Sequence, residues 1–297
     1  MIIHKYQALG NDFLIFDCIN YHENASFLEN TAFLDFVVKK SDRRRIGCDQ
    51  FIVMEKSPMA DCKIVFYNAD ASRAEACGNG TVASGVYASK FLGKNDIKIQ
   101  TDAQVVAVKI NGNEATIELD MPKDLGLSDE QKYEILLHYN DFENGFIENI
   151  SVGNPHCVMI GDYGAYYTNS KQKLSIESNI SLRVSERFSK VGSQIENLTH
   201  IFPNRTNVEF VTQTGENKFD CFVWERGAGR TFACGTGACA VAFACVKNGL
   251  ANSAKPIEIT MAGSFVYGSG VIPMRVLLKE TTVEFTNSAF FEGEIHC

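Results

Sequence analysis

Two short stretches put the same chemistry in two places: Cys77-Gly78-Asn79-Gly80 and Cys234-Gly235-Thr236-Gly237, each preceded by an alanine. A cysteine just before a glycine turn that opens a helix meets two effects. The N–H groups of the first helical turn lack intrahelical acceptors and bind an anion, and the positive end of the helix dipole lowers the thiol pKa from about 8.5 toward neutrality. A thiol so placed can take a proton. Inverting the stereocentre of a carbon acid requires a proton removed from one face and another delivered to the opposite face. Two such thiols on opposite sides of one site would do both, with the two sets of amides gripping a carboxylate between them.

The two stretches belong to a longer repeat. The offset that superposes the cysteines also aligns Ala83 with Ala240 and Lys90 with Lys247, and backwards it pairs Asn68 with Glu225 and Gln50 with Asn207. The apolar run Ile64-Val65-Phe66-Tyr67 then lies opposite Cys221-Phe222-Val223-Trp224, both suited to buried strands. Two halves sharing one fold are the expected consequence.

Each half reads as strand, strand, Cys-Gly-x-Gly turn, helix and further strands. Residues 81–92 and 238–249 are the expected helices, and their lack of charge predicts that protein surrounds them on all sides. Val105–Ile110 and Glu114–Leu119 flank Asn111-Gly112-Asn113, a hairpin signal, and Ile257–Met261 and Thr282–Thr286 also read as strands. Peripheral helices are expected over Ser26–Lys39 and within Ile176–Lys190. The predicted class is α+β, two pseudo-symmetric halves, each a mostly antiparallel sheet or barrel around a central helix, with the active site in the cleft between them. The halves are expected at 1–121, completed by a last strand at about 283–297, and at 122–282, with Met121-Pro122-Lys123-Asp124 marking the crossing.

Composition narrows the classes. The 297-residue chain is 45% apolar, enough for a well-packed core. A net charge of -8 gives no basic footprint for nucleic acid, and Arg43–Arg45 is too short a run to supply one, so it is read as a solvated face. The start, Met1-Ile-Ile-His-Lys-Tyr-Gln, has no apolar core of a signal peptide, and the uncharged stretch Thr231–Val246 is below the roughly 20 residues of a membrane span. A cytoplasmic protein, with no membrane partner, is the expectation. The ten cysteines are therefore read as thiols, and none stands in a Cys-x-x-Cys pair, so no metal site is expected. Cys239, Cys245, Cys18, Cys62, Cys157 and Cys221 are read as small core residues, with Cys48 and Cys297 open. The spacing of Gly78, Gly80 and Gly85 fits neither a dinucleotide nor a phosphate loop, and the thiol chemistry needs no pyridoxal lysine, so no cofactor is expected.

At this point the chain resembles diaminopimelate epimerases over nearly its full length. The resemblance is carried by Leu9-Gly-Asn-Asp-Phe13, Gly47-Cys-Asp-Gln50, Tyr67-Asn-Ala-Asp70, Ala76-Cys-Gly-Asn-Gly80, Gly153-Asn-Pro-His156, and Trp224-Glu-Arg-Gly-Ala-Gly229 leading to Ala233-Cys-Gly-Thr-Gly237. It implies a cofactor-free, two-base interconversion of LL- and meso-diaminopimelate in lysine and peptidoglycan synthesis, by a homodimer. It makes Cys77 and Cys234 the base and acid, their roles exchanged by reaction direction, with amides of Gly78, Asn79, Gly235 and Thr236 on the reacting carboxylate. Asn11, Gln50 and Glu225 would lie near the reacting amine, and Asn68, Asn154, Asn207 and Arg226 near the distal amino-acid end. His156 and Glu225 are candidates to tune the thiols, a structural hydrogen bond being the alternative for His156. The chain departs from the family pattern at Val82-Ala83, where an Arg-Cys pair is usual, at Tyr6-Gln7-Ala8, and at Ala71, where glycine is usual.

Two other readings share the residues. A proline or hydroxyproline racemase would keep both cysteines but needs no recognition of a distal charged group, against which Arg226 with its asparagines stands. A catalytically silent ligand-binding or redox-sensing protein would instead close the two thiols to a disulfide.

Overall fold

The computed structural model describes residues 1–74, 77–139, 145–163, 179–265 and 272–297. Ala76 and residues 176–178, where the second peripheral helix was expected to begin, lie outside them. The chain divides into two compact units, Met1–Glu118 with Thr286–Cys297, and Leu119–Phe285.

In the first unit the order is β1 (Ile2–Ala8), β2 (Asn11–Asp17), α1 (His22–Leu28), α2 (Phe33–Ser41), β3 (Gln50–Glu55), β4 (Cys62–Asn68), β5 (Arg73–Ala74), α3 (Gly78–Leu92), β6 (Asp96–Gln100), β7 (Val105–Asn111) and β8 (Glu114–Asp120), and the C-terminal strand Phe290–His296 returns beside β1. β2 runs parallel to β3, β3 antiparallel to β4, β4 parallel to β6, and β6 antiparallel to β7. The second unit has β9 (Lys123–Asp124), α4 (Asp129–Leu136), β10 (Phe146–Ser151), β11 (Pro155–Ile160), α5 (Asn179–Glu196), β12 (Asn207–Gly215), β13 (Lys218–Glu225), β14 (Gly229–Arg230), α6 (Gly235–Lys247), β15 (Ile257–Thr260), β16 (Met274–Leu278) and the start of β17 (Thr282–Ser288), whose residues from Thr286 on belong to the first unit. Its pairings repeat the pattern: β11 parallel to β12, β12 antiparallel to β13, β13 parallel to β15, β15 antiparallel to β16. The α+β class and the mostly antiparallel sheets are as the sequence predicts, with two parallel pairings in each unit added.

Strand alternation explains why each sheet is apolar on both faces. Phe51 and Val53 of β3 pack with Phe33 and Val37 of α2, as Val208 and Phe210 of β12 pack with Phe188, Val191 and Ile195 of α5. The intervening residues, Ile52 and Glu209, face the central helices α3 and α6: a Cβ placed on Gly80 would stand 3.4 Å from Ile52, and one on Gly237 2.9 Å from Glu209. Both helices are enclosed, with residues 79–88 of α3 all buried.

Three expectations on helices change. α3 and α6 begin three residues earlier than expected, because the Gly-x-Gly segment is the first helical turn and the cysteine is the residue before it. The single helix over Ser26–Lys39 is two, since the Asn30 side chain accepts from the Ala32 N–H and its carbonyl from Phe33, which starts α2 afresh. The second peripheral helix runs on to Glu196. No helix among the described residues is long and apolar enough to cross a membrane.

Burial keeps many core thiols protonated. It pushes Cys48 and Cys62 up to about 12, and raises Cys157, Cys221, Cys239 and Cys245 as well. In the unfolded chain these thiols ionise near 8.5, so the folded state binds more protons above that pH and stability must fall as pH rises from there toward 12. Urea unfolding at pH 8 and pH 10 should show the loss, at about 1.4 kcal/mol per pH unit for each such thiol. An unfolding free energy that is unchanged over that range would contradict the assignment of these thiols to the core.

Candidate active site

Both cysteines occupy the N-cap of a buried helix. Cys77 (φ -148°, ψ 113°) accepts the Gly80 N–H at its Sγ at 3.4 Å, and Cys234 (φ -132°, ψ 117°) accepts the Gly237 N–H at 3.3 Å. Extended backbone at the cap, with a side-chain acceptor on the third helical residue, is the standard N-cap geometry, here with sulfur in place of oxygen. The glycines at Gly80 and Gly237 follow from packing. A Cβ at Gly80 would stand 2.6 Å from the Phe66 ring and 3.3 Å from Phe13; one at Gly237 would stand 2.9 Å from the Glu209 carboxylate and 3.3 Å from the Cys234 sulfur.

Around Cys77, Asn79 donates to the Asn11 Oδ1 at 2.9 Å and accepts from Asn287 at 2.9 Å, while Asn11 donates to Asp49 at 3.2 Å. Gly78 opens α3. Gln50 and Asn68, cross-strand neighbours, meet at 3.4 Å, and Asn68 donates onward to the Ser72 hydroxyl. The turn after Asn68 carries Ala71 at φ +65°, a left-handed conformation that explains why glycine is usual at this position. Arg43 is not simply a solvated charge. It makes a two-pronged contact with Asp12 at 2.8 and 2.7 Å and reaches Asp49 at 2.6 Å, fastening the Asn11 and Gln50 segments to each other.

The second unit joins its candidates in one chain of contacts. The Thr236 hydroxyl lies 3.4 Å from the Cys234 sulfur and accepts from the Asn154 amide at 3.3 Å; the Asn154 oxygen meets His156 Nε2 at 3.1 Å, and His156 Nδ1 meets Glu209 at 2.7 Å. Gly235 opens α6. Asn207 donates to the Pro155 carbonyl and accepts the Arg226 N–H, and the Arg226 guanidinium donates to the Asn204 carbonyl at 2.9 Å. Glu225 accepts the Thr231 hydroxyl.

Electrostatics at Cys234 run against the sequence expectation. Burial first, then the Glu225 and Glu209 carboxylates, raise its thiol well above the ordinary value, opposed by the Thr236 hydroxyl and the Gly237 N–H. Desolvation therefore outweighs the helix terminus. Burial also raises Glu225, against the Thr231 hydroxyl, the neighbouring His156 and the Cys234 thiol.

Two acids escaped the sequence reading. Glu196, at the end of α5, accepts from the Trp224 indole at 2.7 Å and the Gly227 N–H at 2.8 Å and pairs with Arg205, so it holds the turn that presents Glu225 and Arg226. Gly192 lets α5 approach, since a Cβ there would stand 2.7 Å from Trp224. The only sequence signal was the buried indole, which needs an acceptor. Glu209, with His156, is fully buried. It sits in a strand that reads as apolar.

Two capped thiols in units of repeated topology define a class of folds. The chain superposes on a Bacillus anthracis phenazine biosynthesis protein of the PhzF family with a TM-score of 0.66 at 17% identity, covering 99% of this chain and 98% of that one. It superposes on a probable proline racemase from Agrobacterium radiobacter with a TM-score of 0.63 at 11% identity, covering 100% and 92%. These likenesses define the fold. Sequence is more specific: residues 3–124 and 169–267 match the family described as diaminopimelate epimerase. A diaminopimelate epimerase of Pelagibacter ubique is 33% identical over 86% of this chain and 87% of its own. The chain belongs to the diaminopimelate epimerase family, a family of isomerases.

The geometry at Glu196 yields a test independent of catalysis. Glu196→Ala removes the acceptor of two N–H groups and the partner of Arg205, and should cost about 3 kcal/mol in chemical denaturation. A loss below about 0.5 kcal/mol, the level of an ordinary surface change, would remove Glu196 from this role.

Proposed function

We propose that the protein epimerises LL-diaminopimelate to meso-diaminopimelate without a cofactor, Cys77 and Cys234 serving opposite faces of the reacting α-carbon. The observation that carries this reading is the pair of matched cysteine N-caps, 3.4 and 3.3 Å from the third-residue amide, in a chain of this family. One thiolate takes the α-proton, and the other thiol returns a proton to the far face. Amides of Gly78, Asn79, Gly235 and Thr236 hold the reacting carboxylate, where negative charge grows as the α-proton leaves.

Asn11, Gln50 and Glu225 then face the reacting amine. Asn68, Asn154, Asn207 and Arg226 receive the distal amino-acid end, a use that fits the exposed Arg226 guanidinium, which no carboxylate among the described residues engages. His156 and Glu225 tune the Cys234 side. A proline racemase reading gives Arg226 no task. A cytoplasmic homodimer is the setting this reading takes.

Activity of the reduced protein on a panel of amino acids, resolved by chiral chromatography, tests the proposal. Diaminopimelate should turn over far faster than lysine, proline or glutamate. Cys77→Ala and Cys234→Ala should each lose several orders of magnitude, and by similar amounts, because the two groups act as a unit. Arg226→Met should erase most of the substrate preference, since an arginine–carboxylate contact contributes about 1.5–3 kcal/mol. Near-normal turnover by either cysteine variant would end the two-thiol mechanism, and proline handled as well as diaminopimelate would end the substrate assignment.

A further inference from the structure

A two-base epimerase must begin each turnover with one thiol protonated and the other not. Two halves of one repeated fold do not provide this by themselves, because matched caps treat their thiols alike. The repeat is broken beside Cys234. β2 pairs with β3 as β11 pairs with β12, with Phe13 opposite Gln50 where His156 is opposite Asn207. In this register Ile52 holds the place of Glu209, and Asn68 that of Glu225. Packing agrees: Phe13 and Ile52 lie against Gly80, and Glu209 lies against Gly237. Two acids and an imidazole beside one helix thus correspond to an asparagine, an isoleucine and a phenylalanine beside the other.

Glu209 is an expensive residue to keep. Its side chain is fully buried, its Oε1 meets His156, and its Oε2 is buried with no hydrogen-bond partner among the described residues. An apolar pair fills the same place in the first unit, so packing alone does not demand a carboxylate there.

We propose that Glu209 is the positioning residue that places the resting proton on Cys234, so that Cys234 starts as the acid. This rests on reading both cysteines as acid–base groups. The groups facing the Cys234 cap are Glu209 on β12, Glu225 and Cys221 on β13, and His156 on β11. Of these, the two carboxylates disfavour a thiolate, and Glu209 is the one aimed at the capping glycine. His156 holds the carboxylate in that position through Nδ1 and is itself held by Asn154 through Nε2.

The test reads each thiol separately, without an amino acid present. Iodoacetamide modification as a function of pH, followed by peptide mass mapping, gives a midpoint for Cys77 and another for Cys234. Glu209→Gln should lower the Cys234 midpoint by about one pH unit and move Cys77 much less. The double variant His156→Phe, Glu209→Ile gives the second half the residues of the first, which already pack there, and should lower the Cys234 midpoint in the same way. A Cys234 midpoint that stays or rises in the variants overturns the proposal. Turnover of diaminopimelate by the wild type decides the underlying reading separately, because modification midpoints do not depend on the substrate.

Discussion

The sulfur of a cysteine caps a helix that is buried nearly all round, and the rest of each unit is arranged about that contact. A helix enclosed by protein leaves its first N–H groups no water to bond, so the cap must come from the chain itself. Using a cysteine there fixes the thiol at the end of a row of amides that can bind an anion. The enclosing sheet supplies the constraint: its inward residues press so close on the first turn that positions 80 and 237 admit only glycine. Peripheral helices seal the opposite face, α2 on one sheet and α5 on the other.

The cost of that enclosure falls on the thiol. At Cys234 burial and two carboxylates overcome the help of a hydroxyl and an amide. A thiol in such surroundings is a proton donor at neutral pH, suited to complete a reaction that a partner thiolate begins. The reagents of the proposed reaction are thus set by packing as much as by residue type. Family membership and the matched caps support the same reading from independent directions.

Much of this was legible in the chain. The Cys-Gly-x-Gly pair and the polar positions held at one offset gave the repeat, and with it the matching strand order of the two units. Helix starts were misplaced because glycine pairs read as turns, whereas Gly80 and Gly237 lie within the helix, where Phe66 and Glu209 leave no room for a side chain. The break between α1 and α2 rests on one asparagine side chain, and periodicity does not register it. Arg43 looked solvated because its partners Asp12 and Asp49 come from two separate segments. Glu209 was concealed by its apolar neighbours Val208 and Phe210, although the repeat that pairs Gln50 with Asn207 already set it opposite Ile52.

In the proposed mechanism two thiols serve opposite faces of one carbon, and proton bookkeeping in heavy water measures that directly. With LL-diaminopimelate in D2O, a thiolate removes the α-proton on one face and a deuterated thiol supplies the other. Early in the reaction the meso product should therefore carry deuterium at the inverted carbon while recovered substrate carries none. Deuterium appearing equally in substrate and product from the first turnovers, or product that retains the original hydrogen, would point to a single base and contradict the account.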